Sequence, residues 1–369
     1  MPQLKPDVET FAKIKVIGVG GSGCNAISRM MSYKIHGVEF VAINTDAQDL
    51  HHTSAPSKVH IGKSLTKGLG AGMNPEIGRQ AAEENRDEIH EVVKGSDMVF
   101  VTGGLGGGTC SGAAPIVAET AKDAGALTVA VVTKPFSFEG IQRARIAEEA
   151  LEQLKERVDT LIVIPNDRLL SVIDRKLSIS NAFSIVDDVL RQGVQGISDL
   201  ITMPGIVNVD FADVKAIMQD AGSALMGIGR ATGEDRATEA AKLAINSPLL
   251  DISIEGARGV LFNVSGGPDL AMAEINDAAK IITESIDPEA KVIFGAVQDD
   301  RLKKGEIKVT VIATGFENRK KKKKVDAVLG EVSTPEISED KQDKKQKNLV
   351  PDEESDVWDI PAFIRKKMK

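Results

Sequence analysis

Aromatic side chains and cysteines are scarce in this chain. Its 369 residues include one tryptophan, one tyrosine, 11 phenylalanines and two cysteines. Cys24 and Cys110 cannot supply a disulfide framework, and alone they cannot build a zinc site. No apolar run reaches the ~18 residues that a membrane-spanning helix needs. Met1–Thr10 is polar and lacks the apolar core of a signal peptide. Positive charge is in deficit: the net charge is −8 and the pI is near 5.4, which argues against nucleic acid as the main partner. These absences lead us to expect a soluble cytoplasmic protein with no nucleic-acid partner and no direct membrane insertion. The length suggests two domains plus extras, and a hydrophobic content of 42% is enough for real cores.

Glycine is plentiful, at 34 residues, and its placement is informative. The stretch Gly103-Gly104-Leu105-Gly106-Gly107-Gly108-Thr109-Cys110-Ser111-Gly112 holds six glycines in ten residues. It lies between an apolar run, Met98–Val101, that reads as a buried strand, and Ala113–Ala121, which reads as a helix. Such density is costly in backbone entropy and is tolerated where a ligand or another backbone must come close. At a strand-to-helix turn the free N–H groups and the helix dipole favour an anion, most often phosphate.

The chain upstream repeats this design. Lys13–Ile17 reads as a strand, Gly18-Val19-Gly20-Gly21-Ser22-Gly23 as a GxGxxG turn, and Cys24–Met31 as a helix. The next strand, Val38–Ile43, ends in Asn44-Thr45-Asp46. Asp46 stands where a dinucleotide fold places its ribose carboxylate, which keeps an NAD-binding Rossmann oxidoreductase open as an alternative. Gly62-Lys63-Ser64 is not a P-loop, because Ser57 stands where the first glycine belongs. Gly68–Met73 forms a further glycine-rich loop before a helix spanning Pro75–Val93. Leu127–Val132 is a strand running into Thr133-Lys134-Pro135-Phe136. Glu139 and Arg143 open a helix to about Arg157, and Thr160–Ile164 is a strand ending in Pro165-Asn166-Asp167. Alternating strands and helices predict a parallel, doubly wound sheet that binds ligand beyond the carboxyl ends of its strands. Every glycine loop falls at such an end, so the loops should converge on one pocket; a simple NAD domain has no need of the second and third.

Ile179–Ile201 carries apolar residues at three- and four-residue steps, predicting one helix roughly 35 Å long that Pro204-Gly205 terminates. Asn208-Val209-Asp210-Phe211-Ala212-Asp213 follows, before a helix over Val214–Gln219. An acid there is also an ordinary helix cap. The remainder, with strands at 223–229, 259–264, 291–297 and 307–313 and helices at 235–246 and 270–285, predicts a smaller α+β domain. After Phe316 a basic run, Arg319–Lys324, opens a charged linker of disordered composition. Trp358–Lys369 carries the only tryptophan and reads as a docking peptide that folds in a partner's groove.

Taken together, Gly20–Ala26, Asn44–Asp46, Gly106–Thr109, Asn208–Asp213 and Asp359–Phe363 resemble the FtsZ family, the bacterial tubulin-like division GTPases, along nearly the whole chain. The resemblance implies an α/β fold: a Rossmann-like, doubly wound parallel-sheet GTPase domain, a long central helix, then a smaller α+β domain. It implies the divisions 1–10 tail, 11–178 nucleotide-binding domain, 179–203 central helix, 204–316 α+β domain, 317–350 linker and 351–369 partner-binding peptide. It implies GTP and GDP as ligands, with Mg²⁺ held mainly by phosphates and K⁺ as a further candidate cation. Gly21, Ser22, Gly23, Cys24 and Asn25, with Gly108, Thr109 and Cys110, would hold the phosphates, Gly20, Gly104, Gly106 and Gly107 belong to the same nucleotide site, and Ala71, Gly72 and Met73 would sense the γ-phosphate. Asn44, Asp46, Thr133 and Pro135 belong to the same site, and Glu139 and Arg143 would reach the ribose. Asn25 and Asp187 would read guanine, Phe183 would stack on it, and Asn166 belongs to the same site. A carboxylate at Asp187 accepts from guanine's ring N–H and amino group and repels adenine's acceptor edge.

Asn208, Asp210 and Asp213 are the expected catalytic residues. Asp210 lies 23 positions (210 − 187) past Asp187, or roughly 30 Å if mostly helical. The acids would therefore serve the nucleotide of the next subunit, which demands an open, head-to-tail filament. The implied partners are the chain itself and, through Trp358–Lys369, membrane-anchor and regulatory division proteins at the mid-cell site. A tubulin-like filament outside division is the other alternative. The family usually has glycine where Cys110 stands. Cys24 and Cys110 face one pocket, so oxidation could link them or block phosphate binding; the other reading is two small buried fillers.

Overall fold

The computed structural model describes residues 12–316, apart from 34, 36, 171–177, 204, 208, 248–253, 255 and 300. The expected tail, linker and C-terminal peptide, together with Asn208, lie outside the described residues.

The first half builds six parallel strands: β1 (Ile14–Val19), β2 (Val38–Asn44), β3 (Ser57–His60), β4 (Met98–Gly104), β5 (Leu127–Lys134) and β6 (Thr160–Pro165). They lie in the order β3-β2-β1-β4-β5-β6. Four of the five longer strands read as continuous apolar runs because both sheet faces are covered. In β1, Ile14 and Val16 enter one core while Ile17 and Val19 enter the other. β3 was not foreseen, since a short edge strand with one valine carries almost no periodicity. The strand order reverses between β1 and β4, and a doubly wound sheet binds ligand at such a switch point.

The helices of this half are α1 (Gly20–Ser32), α2 (Ala47–His52), α3 (Lys63–Thr66), α4 (Pro75–Glu84), α5 (Arg86–Val93), α6 (Gly108–Asp123), α7 (Ile141–Arg157) and α8 (Asn166–Leu170), with a 3₁₀ turn at Ser137–Glu139. The single helix expected over Pro75–Val93 is interrupted at Asn85. The side-chain oxygen of Asn85 accepts the Gly62 N–H at 2.8 Å, tying the helix break to the turn that follows β3.

α9 (Ile179–Thr202) has 24 residues. It shares one core with α1, β5 and β6 on one side and with strands of the second half on the other. Two mid-helix glycines permit this seat. A Cβ at Gly193 would lie 3.2 Å from Val131 and Met226 side-chain atoms, and one at Gly196 would lie 2.9 Å from Thr310 Cγ2. Glycine inside a helix costs about 1 kcal/mol relative to alanine, and here it allows close approach to β5 and to two strands of the second half.

The second half contains α10 (Phe211–Met218), β7 (Gly222–Thr232), α11 (Arg236–Ile245), β8 (Gly259–Gly266), α12 (Met272–Glu284), β9 (Lys291–Gln298) and β10 (Glu306–Thr314). Its strands continue the first sheet. β7 joins β6 in parallel through Thr160–Ile162, β10 runs antiparallel to β7 and β8, and β9 runs parallel to β8. One ten-stranded sheet thus passes through both halves, with α11 and α12 enclosing a third core over its far end. α10 begins three residues earlier than expected, because Asp210 caps it by accepting the Asp213 N–H at 2.8 Å.

Candidate nucleotide site

Strand-to-helix junctions and the first turns of α9 enclose a cleft of about 270 Å³ at the switch point. Gly20, Gly21 and Ser22 enter it from the β1–α1 junction, and Gly104, Leu105, Gly107, Thr109 and Cys110 from the β4–α6 junction. Thr133, Pro135, Glu139 and Arg143 follow β5, Asn166 follows β6, and Phe183, Val186, Asp187 and Leu190 come from α9.

The two glycine junctions touch each other. Gly20 has φ +72°, and a Cβ there would lie 3.2 Å from the Cys110 amide nitrogen, so both conformation and space require glycine. The Gly104 N–H donates to Ser22 Oγ at 2.6 Å. Neither α1 nor α6 has a capping side chain at its N-terminus, whereas Asp46, Asn74 and Asp210 cap α2, α4 and α10. Two uncapped helix starts meeting in one cleft bring unsatisfied N–H groups and two dipole ends to the same place, which is a site for an anion. Thr109 Oγ1 is held 2.7 Å from Thr45 Oγ1, so the Asn44-Thr45-Asp46 segment supports the cleft from behind.

Cys110 is the third residue of α6, and its thiol packs beside Gly103, where a Cβ would lie 2.6 Å from the sulfur. The helix has already begun, so a side chain is accommodated without strain. Burial pushes the Cys110 thiol up to about 12, with Cys24 adding to the shift, and burial pushes Cys24 up to about 11. Both are free and buried, and both stay protonated at neutral pH. That favours small fillers over redox-active groups.

At the other end of the cleft, Glu139 accepts the Phe136 N–H at 2.9 Å and an Arg143 N–H at 3.1 Å. Phe183 is 41% exposed and meets Phe136 edge-on at 5.6 Å, leaving surface for a planar ring. Asn166 is 4% exposed, yet its side-chain oxygen has no hydrogen-bond partner. A buried acceptor without a donor is costly, and a ligand N–H would satisfy it. Asp187 also lines an adjoining hollow of about 550 Å³ with Asn25, Ser28, Arg29, Ser32 and Tyr33. Burial raises Asp187 to about 6, Arg29 at 3.9 Å opposes the shift, and Asp188 adds to it. At neutral pH the carboxylate is mostly ionised and accepts donors.

Other expected site residues sit one layer behind the cleft wall. The Gly72 carbonyl accepts the Gly108 N–H at 2.7 Å, which seats Ala71–Met73 on the start of α6. Gly106 donates its N–H to Ser111 Oγ at 2.9 Å. Gly23 packs against Gly18, where a Cβ would meet the backbone at 2.7 Å. Asn44 donates to Asp49 at 2.8 Å, and Asp46 is committed to capping α2. Sequence reasoning missed Arg29 and Tyr33, although Asn25, Arg29 and Tyr33 recur at four-residue steps that put them on one helical face.

Asp210 and Asp213 are exposed and line neither the cleft nor the hollow. A Cβ at Gly295 would touch both Leu200 (2.4 Å) and Val209 (3.3 Å), so Val209 lies beside Leu200, 13 positions along α9 from Asp187. The separation is therefore about 20 Å, shorter than the ~30 Å expected, because the chain doubles back after α9. Past the other end of α10, Asp220 lies 2.9 Å from Lys122 Nζ, and Lys122 is 14 positions, about 21 Å along α6, from Gly108. The far end of α10 thus lies at the amino edge of the parallel strands, where Thr160 opens β6, and the cleft at their carboxyl edge.

Comparison with known proteins identifies the family and the fold. A model described as the tubulin/FtsZ family GTPase domain matches residues 13–174, and one described as the FtsZ family C-terminal domain matches residues 222–317. The chain is similar to an FtsZ dimer structure, empty, from M. jannaschii at 48% identity and a TM-score of 0.81, covering 86% of this chain and 94% of that one. It is also similar to a protofilament of CetZ2 from Haloferax volcanii with GTPγS bound, at 20% identity and a TM-score of 0.70, covering 86% of this chain and 99% of that one. That second likeness is one of fold alone.

Proposed function

This chain belongs to the tubulin/FtsZ family and carries its GTPase domain, and from that premise we propose that it is a self-assembling GTPase whose catalytic acids act on the neighbouring subunit's nucleotide. The observation that carries this reading is the separation just described. An acid pair about 20 Å from the base-binding end of its own cleft cannot serve that cleft; stacked head to tail, the pair of one subunit faces the cleft of the next. A heterologous contact of this kind propagates into a filament.

In this reading the starts of α1 and α6 bind the phosphates, Glu139 and Arg143 hold the ribose, and Phe183 stacks on guanine. Asp187 accepts from the guanine ring N–H and amino group, with Asn25 and Asn166 beside it. Asp210 and Asp213 of the adjacent subunit polarise the attacking water, help hold a cation and take the water's proton as its oxygen bonds the γ-phosphorus and GDP departs; Asn208 belongs to the same segment. Mg²⁺, with K⁺ as a further candidate, would neutralise phosphate charge, its ligands being mainly phosphate oxygens and water. The carboxylates beside the glycine loops fit that division of labour: Asp46 caps α2 and Asp49 accepts from Asn44. Hydrolysis would weaken the interface and release subunits. As a division-ring filament in the cytoplasm at mid-cell, the protein would reach membrane anchors and regulators through Trp358–Lys369. Among the described residues no helix is long and apolar enough to cross a membrane.

The test mixes two inactive chains. Asp213→Ala keeps its cleft and loses the acid. Gly107→Glu keeps its acids and puts a negative charge into the phosphate cleft, at a position where an added Cβ has open space. Hydrolysis should return on mixing and should vanish on dilution to monomers. Failure of the mixture to recover, or constant activity per molecule on dilution, would remove action in trans.

A further inference from the structure

The C-terminal end of α10 is buried, with Ile217 at 5% and Met218 at 0% exposure, and its last carbonyls have no partners within the helix. Two threonine hydroxyls from opposite halves of the molecule satisfy them. Thr160, the first residue of β6, donates to the Met218 carbonyl. Thr314, the last residue of β10, donates to the Ile217 carbonyl at 3.3 Å and shares its proton with Gly259 O, also at 3.3 Å. Both threonines are essentially inaccessible, at 0% and 2%. A buried latch continues the clamp beyond the helix. The Asp159 carboxylate accepts from the Thr128 N–H at 2.9 Å and the Asp220 N–H at 3.4 Å, and pairs with Lys122 at 3.1 Å. The Asp159 carbonyl accepts the Gly222 N–H at 2.9 Å. Asp220 is held at φ +49°, a conformation a non-glycine residue adopts at a cost.

These contacts go beyond what helix α10 needs merely to be covered, because they come from fixed points on two strands and define where the helix ends. Its opposite end presents Asp210 and Asp213. We propose that Thr160 and Thr314 are positioning residues for hydrolysis in the adjacent subunit: by anchoring the buried end of α10 to both halves of their own subunit, they set where its acids stand over the neighbour's nucleotide. The proposal rests on the reading that the acids act in trans, and it predicts a particular asymmetry. A chain with a damaged clamp has a sound cleft of its own and fails only as an activator of its neighbour.

Thr160→Val keeps the shape of the side chain and removes the donor; Thr160→Ser keeps the donor. Thr160→Val should bind GTP and GDP within about twofold of the unaltered chain and lose about tenfold or more in kcat with little change in KM, since ångström-scale misplacement costs on that order. Thr160→Ser should restore kcat. Mixed with Gly107→Glu, whose α10 is intact, Thr160→Val should recover hydrolysis; mixed with Asp213→Ala, it should not. Thr314→Val, approached from the other half, should repeat the pattern and serves if Thr160→Val fails to fold by circular dichroism. A normal kcat for both valine variants overturns the proposal. So does recovery with Asp213→Ala, or a serine variant as impaired as the valine one. If Asp213→Ala and Gly107→Glu fail to complement each other, the trans reading itself has failed, and that outcome is distinct from a failure of the clamp.

Discussion

The two edges of the parallel strands are built from different materials. At the carboxyl edge of the first six strands the working surface is mostly backbone: glycine turns, two uncapped helix starts and a 3₁₀ turn, joined by a few side chains from α9. At the amino edge of those strands lies a short helix, α10, whose buried end is held by side chains: Thr160 and Thr314 reach its last carbonyls from two strands, and Asp159 holds the turn after it. A backbone-built cleft binds phosphate wherever the turns form, because its donors come with the chain. A side-chain-built support works only when remote residues arrive together. The glycine junctions should therefore respond sharply to added bulk or charge, while the α10 end, like the few α9 side chains in the cleft, should respond to loss of single polar groups.

The largest effect should separate the ends outright. Asp213→Ala is expected to lower kcat by about a hundredfold or more, the scale of general-base loss, while nucleotide affinity in a fluorescent-GDP titration stays within about twofold. A parallel fall in affinity would show that the acid belongs to its own cleft and would erase the distinction. Asp187→Ala should do the reverse, weakening GTP and GDP by about ten- to a hundredfold, as expected for losing a charged acceptor. Because ligand donors favour the ionised form, the free protein binds more protons at Asp187 than the complex does. Affinity should therefore fall as pH drops through about 6 and be flat above it; Asp187→Asn should abolish that dependence.

Smaller effects probe the packing of the cleft. A Cβ at Gly112 would lie 2.0 Å from the Pro75 carbonyl oxygen, so Gly112→Ala should cost about 1–3 kcal/mol in a denaturant melt, the usual range for overpacking, and it should still complement Asp213→Ala only as far as its own α10 is folded. Cys110→Gly should cost about 1–2 kcal/mol, through the lost filler and added backbone freedom, with affinity little changed. Labelling of Cys24 and Cys110 should be slow with or without GTP, since both thiols are buried and protonated. Fast labelling that GTP blocks would revive a redox role.

Much of the first half was legible in the sequence. Strands such as Met98–Gly104 are covered on both faces and so read as apolar runs, and glycine turns between strand and helix announce themselves locally. β3 was not legible, because Ser57-Lys58-Val59-His60 at a sheet edge has one apolar side chain and no pattern. Nor was the break at Asn85, whose cause lies in the Gly62 turn. The second half read as a smaller α+β domain, in line with the C-terminal family model over residues 222–317, but its strands give no hint that β7 would pair with β6 and extend the same sheet. Thr160 and Met218 stand 58 positions apart, and Thr314 and Ile217 stand 97 apart. Nothing local to any of the four marks it.

The sequence by itself determined the strand–helix alternation and the glycine junctions, because periodicity, backbone freedom and helix-end donors are properties of short stretches; the side chains expected around the cleft came from the family resemblance. Only the tertiary structure decided that one sheet spans both halves, that the start of α10 sits about 20 Å from Asp187, and that hydroxyls from two strands meet its far end. Those facts depend on which distant residues meet, and a buried carbonyl finds its donor only after the chain has folded around it.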